Sequence, residues 1–180
     1  MMTGVRVDPV ARIAWVQGGA TLGDVDRETQ AFALVAPSGV VSETGIAGLT
    51  LGGGFGWVRG KYGMSIDNLL SVDIVTADGN FLHASETENE DLFWAIRGGG
   101  GNFGIVTSFE FRLHPLGPIL MHCAPIYHGD QAKEVTQKWR EFMSNAPDEF
   151  TSELFFWNIP TDPTFPEELH GTPVVIPAGV

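Results

Sequence analysis

Between Pro37 and Gly56 the chain reads Pro-Ser-Gly-Val-Val-Ser-Glu-Thr-Gly-Ile-Ala-Gly-Leu-Thr-Leu-Gly-Gly-Gly-Phe-Gly, and seven of these twenty residues are glycine. A flexible linker would intersperse them with Ser, Gln or Asn and has no use for Ile46, Leu49, Leu51 and Phe55. Glycine among apolar residues means that main chain comes very close to something, often with positive φ. Successive N–H groups with no side chains in the way form nests for phosphate or carbonyl oxygens. A second run, Gly98-Gly-Gly-Gly-Asn-Phe-Gly104, follows later in the chain. Two such runs in 180 residues point to a large, flat ligand with a polar edge.

The charge balance removes one class of partner. The net charge is -12, and the ten Lys and Arg residues are scattered from Arg6 to Arg140. Nucleic acid, which needs clustered basic residues, is therefore not expected. Hydrophobic residues make up 43%, enough for one core, or for one domain and part of another. No run of eighteen apolar residues appears, and the start reads as no leader peptide, so no membrane partner and a cytoplasmic location are expected. The single cysteine, Cys123, excludes an internal disulfide and reads as a small core residue on an apolar strand. His83, His114, His122, His128 and His170 have no metal-ligand spacing, so no metal site is expected; His83 and His122 read as strand residues.

Along the chain, Val5–Pro9 and Arg12–Gln17 read as a hairpin turning at Asp8-Pro-Val-Ala11. Thr21-Leu-Gly-Asp24 reads as a capping box opening a helix to about Ala33, with Leu22, Val25, Thr29 and Phe32 inward. Leu69–Thr76 and Phe81–Ala84 form a second hairpin. A helix from Asn89 or Glu90 carries Leu92, Phe93 and Ile96 and ends at Gly98. From Ile105 to Leu113 the odd positions are apolar or Thr, which predicts a half-buried strand with those residues inward. His114-Pro-Leu-Gly-Pro118 marks a domain boundary. Beyond it, strands are predicted at Ile119–Tyr127 and Glu153–Ile159. An amphipathic helix lies between them over Asp130–Ser144, with Val135, Trp139 and Phe142 inward, and a last strand opens at Pro173–Ile176. Hairpins among the helices favour an α+β fold over a doubly wound parallel sheet.

Several motifs dissolve on inspection. Gly99-x-Gly101-x-x-Gly104 matches the dinucleotide fingerprint, but a helix precedes it and a strand follows, the reverse of the order that fingerprint requires. Gly60-Lys61 is followed by Tyr62, so no P-loop exists. Ser38, Ser42 and Ser108 lie in no nucleophile elbow. Asp67-Asn68 reads as a turn or cap, and Tyr62 as a packed aromatic.

Read together, Val16-Gln-Gly-Gly-Ala-Thr-Leu-Gly-Asp24, the Pro37–Gly56 run, Lys61-Tyr-Gly63, Ile66-Asp-Asn-Leu69 and Arg97-Gly-Gly-Gly-Gly-Asn-Phe-Gly-Ile-Val-Thr107 resemble the berberine-bridge-enzyme-like FAD-linked oxidases. These have the PCMH-type, or vanillyl-alcohol-oxidase, FAD-binding fold. The resemblance implies the second subdomain of that FAD-binding domain over residues 4–115, a mixed sheet with flanking helices, and the start of an α+β substrate domain over 119–180. It implies FAD as cofactor and a small-molecule alcohol, sugar or alkaloid-like substrate, oxidised by hydride transfer to flavin N5 with oxygen as acceptor. Ser38, Gly39, Ser42, Thr44, Gly45, Gly48, Leu49 and Gly53 would follow the flavin and pyrophosphate; Gly104, Ile105 and Val106 would meet the adenosine end through main-chain groups.

The departures carry equal weight. The family's flavin-linking histidine segment is not in this sequence, Val41 stands where bicovalent members have cysteine, and the family's catalytic bases have no counterpart here, so no catalytic residue is assigned. The chain therefore reads as an internal fragment, expected to hold flavin weakly at most, to be inactive by itself and to self-associate non-specifically. Two alternatives stay open: a non-catalytic remnant that keeps the fold without flavin, and a sugar- or peptide-binding module using Trp57, Trp94 and Trp157.

Overall fold

A computed structural model describes residues 2–117 and 119–180; Pro118, the last residue of the boundary segment read from the sequence, lies outside the described residues. The chain divides into two compact units, Met1–Ile119 and Leu120–Val180.

The first unit opens with a hairpin of β1 (Val5–Asp8) and β2 (Ile13–Gln17). Asp8 makes the turn, its Oδ1 accepting from the N–H groups of Val10 at 2.9 Å and Ala11 at 2.8 Å. Thr21 and Asp24 then cap α1 (Leu22–Gln30) reciprocally. Thr21 Oγ1 accepts from the Asp24 N–H at 3.2 Å, and Asp24 Oδ2 accepts from the Thr21 N–H at 3.0 Å. Leu22, Val25 and Thr29 are buried as the period requires. Phe32 is not: α1 stops at Gln30, and Ala33 turns left-handed (φ 53°) into β3 (Leu34–Val35), which takes Phe32 out of the helical phase.

There follow α2 (Ile46–Leu51), α3 (Arg59–Tyr62), β4 (Leu69–Val75), β5 (Phe81–Ser85), α4 (Glu90–Gly99), β6 (Ile105–Arg112) and β7 (His114–Pro115). Gly98, at φ 111°, breaks the helical geometry of α4 in its final turn. The main sheet has the order β1-β2-β6-β4-β5, with β3 and β7 paired separately. The α+β class is the one expected, but the sheet is not mixed: every pairing in it is antiparallel. Ala14, Val16, Val72, Ile74, Phe109 and Phe111 share one core with Leu22 and Val25 of α1 and Phe93 and Ile96 of α4.

The inward set on β6 differs from the alternation read from the sequence. Phe109 and Phe111 are buried, but Ile105 is 74% exposed and Val106 is buried. The register against β4 steps from Asp73–Ser108 to Ile74–Val106, so β6 carries one extra residue, Thr107, at this point. Such a bulge reverses the facing of everything beyond it.

The second unit holds β8 (Tyr127–His128), α5 (Ala132–Met143), β9 (Ser152–Asn158) and β10 (Pro173–Gly179), in the antiparallel order β8-β10-β9. The long strand expected at Ile119–Tyr127 reduces to a bridge at Cys123–Gly179 and the two residues of β8. Continuing the register places Pro125 opposite Pro177, and neither has an N–H for the ladder. Cys123 is accordingly exposed and not a core residue, and His122 lies outside any strand. On α5, Val135 and Trp139 are half-buried and Phe142 is exposed. Trp139 Nε1 donates to Ser152 Oγ at 2.9 Å, which donates in turn to the Ala178 carbonyl at 2.7 Å. Among the described residues no helix is long and apolar enough to cross a membrane.

Candidate cofactor site

The segment from Ser42 to Ile46 is pinned to the capping turn of α1. Gly23 N–H donates to Ser42 O and Leu22 N–H to Thr44 O, both at 2.9 Å, and Ile46 N–H donates to Ala20 O at 3.0 Å. The capping box that starts α1 thereby also fixes the approach to α2.

The glycines of this run divide into two kinds. At Gly39 an added Cβ would lie 2.6 Å from Leu49 Cδ1, and at Gly56 it would lie 2.0 Å from the Ser38 carbonyl oxygen. Gly53, at φ +119°, would meet Met64 Cε at 2.8 Å. These positions are glycine so that the run can fold on itself and on its neighbours. At Gly45 and Gly48, by contrast, a Cβ would meet nothing within 4 Å. Both are exposed, Gly45 is the N-cap of α2, and it has no side chain with which to cap the first turn. Ser42 is exposed and Thr44 half-buried beside them, Leu49 is half-buried, and Ser38 is buried.

The second glycine run comes to the same place. α2 packs against α4 and against the turn Gly100–Phe103. Asn102 Nδ2 closes that turn on the Gly99 carbonyl at 2.7 Å. Gly98, Gly100 and Gly101, none of them among the cofactor contacts expected from the sequence, also have open space where a Cβ would be; their membership of the second glycine run is the signal that points to them. Gly104 differs. Its φ is +147°, and a Cβ there would lie 2.3 Å from the Val75 carbonyl oxygen, so close packing on β4 accounts for this glycine. Ile105 beside it is exposed, while Val106 is buried with its carbonyl against Gly18.

The segment from Pro37 to Gly56 contains no Lys, Arg or His, and its one carboxylate, Glu43, is exposed. What it offers a ligand is main-chain N–H groups, hydroxyls and an apolar wall. That donor set suits a pyrophosphate and ring carbonyls, with nest-like amides in place of basic side chains. Arg59, on α3, is turned to its own loop, Nη1 donating to the Gly56 carbonyl at 3.1 Å. Among the described residues no cluster of His, Cys, Asp and Glu could hold a metal ion. The second unit carries a cavity of about 550 Å³ lined by Tyr127, Trp139, Phe142, Phe150 and Cys123.

An antiparallel sheet backed by helices thus brings the two glycine runs together at an open, uncapped short helix. The FAD binding domain family matches residues 1–85. An FAD-linked oxidoreductase of Aspergillus terreus is 47% identical over 133 residues, 74% of this chain and 27% of that protein. The 6-hydroxy-D-nicotine oxidase of Arthrobacter nicotinovorans superposes with a TM-score of 0.84 at 28% identity, over 99% of this chain and 38% of that one. The berberine bridge enzyme-like protein 28 of Arabidopsis thaliana gives 0.85 at 27% identity, over 99% of this chain and 35% of that one. The chain belongs to the berberine-bridge-enzyme-like, PCMH-type FAD-linked oxidoreductases, whose cofactor is FAD. It spans between 27% and 38% of the length of these three relatives.

Proposed function

We propose that this chain supplies one wall of an FAD site in an oxidoreductase acting on an alcohol, sugar or alkaloid-like substrate. The observation that carries this reading is the open face over Gly45 and Gly48, set beside the Gly100–Phe103 turn. A Cβ at either glycine would occupy space that the protein itself leaves open, so the residues present fit the cofactor. In this reading the main-chain N–H groups at Gly45 and Gly48 and the hydroxyls of Ser38, Ser42 and Thr44 hold polar edges of FAD. Gly39 and Gly53 let the segment take its path, and Leu49 presents an apolar surface to the ring. Gly104, Ile105 and Val106 serve the adenosine end by main-chain contact.

FAD, when bound, accepts a hydride at N5 and passes the electrons on, here with oxygen as the proposed acceptor. The chain's own part is binding and orientation, which bring the reacting carbon within reach of the acceptor atom. Residues 4–115 carry the cofactor wall, and 119–180 begin the domain that holds the substrate. The name of the Arthrobacter relative, an oxidase of a hydroxylated nicotine, supports an amine or alcohol substrate class.

The test is to titrate the purified chain with FAD and follow the flavin absorbance bands and fluorescence. Saturable, stoichiometric changes are expected, and a linear response equal to that of a heat-unfolded control overturns the proposed wall. With sugars, benzylic alcohols and cyclic amines the chain by itself should release no peroxide above a free-FAD control, and substrate-dependent release would show that this wall suffices for turnover.

A further inference from the structure

We propose that His114 is a positioning residue for the FAD wall proposed above, on which this step rests, and that it latches the first glycine run at both of its ends. The run enters from β3, where Leu34 and Val35 pair with Pro115 and His114 of β7. It leaves through Gly53 and Gly54, whose carbonyls accept from the N–H groups of Ile66 at 3.1 Å and Ser65 at 2.8 Å. Ser65 and Ile66 open the short turn Ser65–Asn68, and Asn68 Oδ1 is the atom that the His114 ring meets. His114 therefore holds the entry by its main chain and the exit by its imidazole.

The two ends also bear on each other and on α2. An added Cβ at Gly56 would lie 2.0 Å from the Ser38 carbonyl oxygen, so the last residue of the run rests against its second. Leu49, half-buried on α2, is clasped between them. Its Cδ1 lies 2.6 Å from where a Cβ on Gly39 would stand, and its Cδ2 lies 2.8 Å from that of Gly54. Packed side chains have few voids to move into, so a shift at either end displaces Leu49. The neighbour of Leu49 on the helix is Gly48, over which the open face lies.

The latch responds to protonation. Asn68 Nδ2 is committed to the carbonyls of Tyr62 and Met64, so His114 Nε2 donates to Asn68 Oδ1 and a second proton must go to Nδ1. That proton puts a full positive charge on a partly buried ring, near Arg112 of β6 and Arg12 of the β1–β2 turn. On the segment that carries Tyr62 and Asn68, the charged groups are Lys61, 5.5 Å from the centre of the Tyr62 ring, and Asp67, whose Oδ2 accepts from the Met64 N–H at 2.7 Å. β3 contributes Leu34 and Val35, neither of them charged. Releasing the ring to solvent relieves both the burial and the repulsion, so acid favours the open latch.

The test uses the whole chain and begins without ligand or variant. The His114 ring resonances are followed by NMR as pH falls from 7.5 to 5.5, together with the main-chain amides of Gly45, Gly48, Gly53 and Gly54. All four amides should shift with the midpoint of the ring, and in His114→Gln, which keeps a donor for Asn68 but does not titrate, they should hold still. Shifts confined to Val35 and Asn68, the immediate neighbours of His114, overturn the latch. The second arm is FAD titration at both pH values. The dissociation constant of the wild-type chain should rise by about threefold or more on acidification relative to His114→Gln, which at pH 7.5 should bind as the wild type does. Equal pH dependence in the two proteins overturns the coupling. A wild-type chain that binds no FAD at either pH refutes the wall and not the latch, which the amide resonances then decide alone.

Discussion

His114 Nε2 lies 2.6 Å from Asn68 Oδ1, and this contact joins the turn after the first glycine run to the chain leaving β6. Asn68 is buried and its Nδ2 donates to the carbonyls of Tyr62 at 2.8 Å and Met64 at 2.9 Å. With the amide so oriented, Oδ1 is the acceptor and His114 Nε2 carries the proton. The imidazole stacks on Tyr62 with ring centroids 4.2 Å apart, and the Tyr62 hydroxyl donates to the Pro115 carbonyl at 3.0 Å. Asn68→Ala strands two carbonyls and the imidazole N–H at once. A loss of about 2 to 3 kcal/mol is expected from unsatisfied polar groups of this kind. Urea unfolding of the purified variant measures it, and a loss below half a kcal/mol would remove Asn68 from this role.

The same imidazole makes stability depend on pH. Burial first, then the positive charges of Arg112 and Arg12, hold the His114 pKa below the ordinary 6.5. Between the lowered folded value and 6.5 the unfolded chain binds more protons than the folded one, so stability falls as pH falls through that window. Below the folded value this contribution is flat. The melting temperature of the wild-type chain relative to His114→Gln should therefore decline between pH 7.5 and pH 5.5. A constant difference across that range would show that His114 titrates as it does in the unfolded chain.

Thr21→Ala removes the side-chain half of the capping box on α1, at the turn against which Ser42–Ile46 is hydrogen-bonded. A loss of about 1 kcal/mol is expected for a cap of this type. Because the main-chain bonds to Ser42 and Thr44 remain, FAD affinity should change by less than about twofold. Parallel thermal melts and FAD titrations separate the two effects, and a large affinity loss with little destabilisation would reverse the assignment.

Much of this fold was legible locally. The capping box at Thr21 and Asp24, both hairpins and the Gly98 terminus of α4 are written in neighbouring residues, and they stand where the sequence puts them. What was not legible depends on partners far along the chain. The Thr107 bulge is defined against β4, and the Pro125–Pro177 gap exists only because two distant prolines meet in one register. Phe32 lost its place through a left-handed residue one position on. In the site, the sequence marked the glycine runs as a whole but could not sort them. Whether a glycine is hemmed in by its own fold, as at Gly39, Gly53 and Gly104, or faces open space, as at Gly45 and Gly48, is decided by what stands opposite its Cα.

That sorting gives opposite expectations for two substitutions five residues apart. Gly48 lies inside α2 with open space where a Cβ would project. Alanine there relieves the entropic cost of a helical glycine, so Gly48→Ala should stabilise the ligand-free chain by about 0.5 to 1 kcal/mol. The same methyl stands in the space assigned to FAD, so FAD affinity should fall, and Gly48→Val should lower it further. Gly53 has φ +119°, a conformation that side chains resist, and its Cβ would crowd Met64. Gly53→Ala should therefore destabilise the ligand-free chain by about 1 to 3 kcal/mol. Melting each variant with and without FAD distinguishes the roles. If Gly48→Ala leaves FAD affinity unchanged while raising stability, the open face over α2 is ordinary solvent-facing surface and the proposed cofactor wall lies elsewhere.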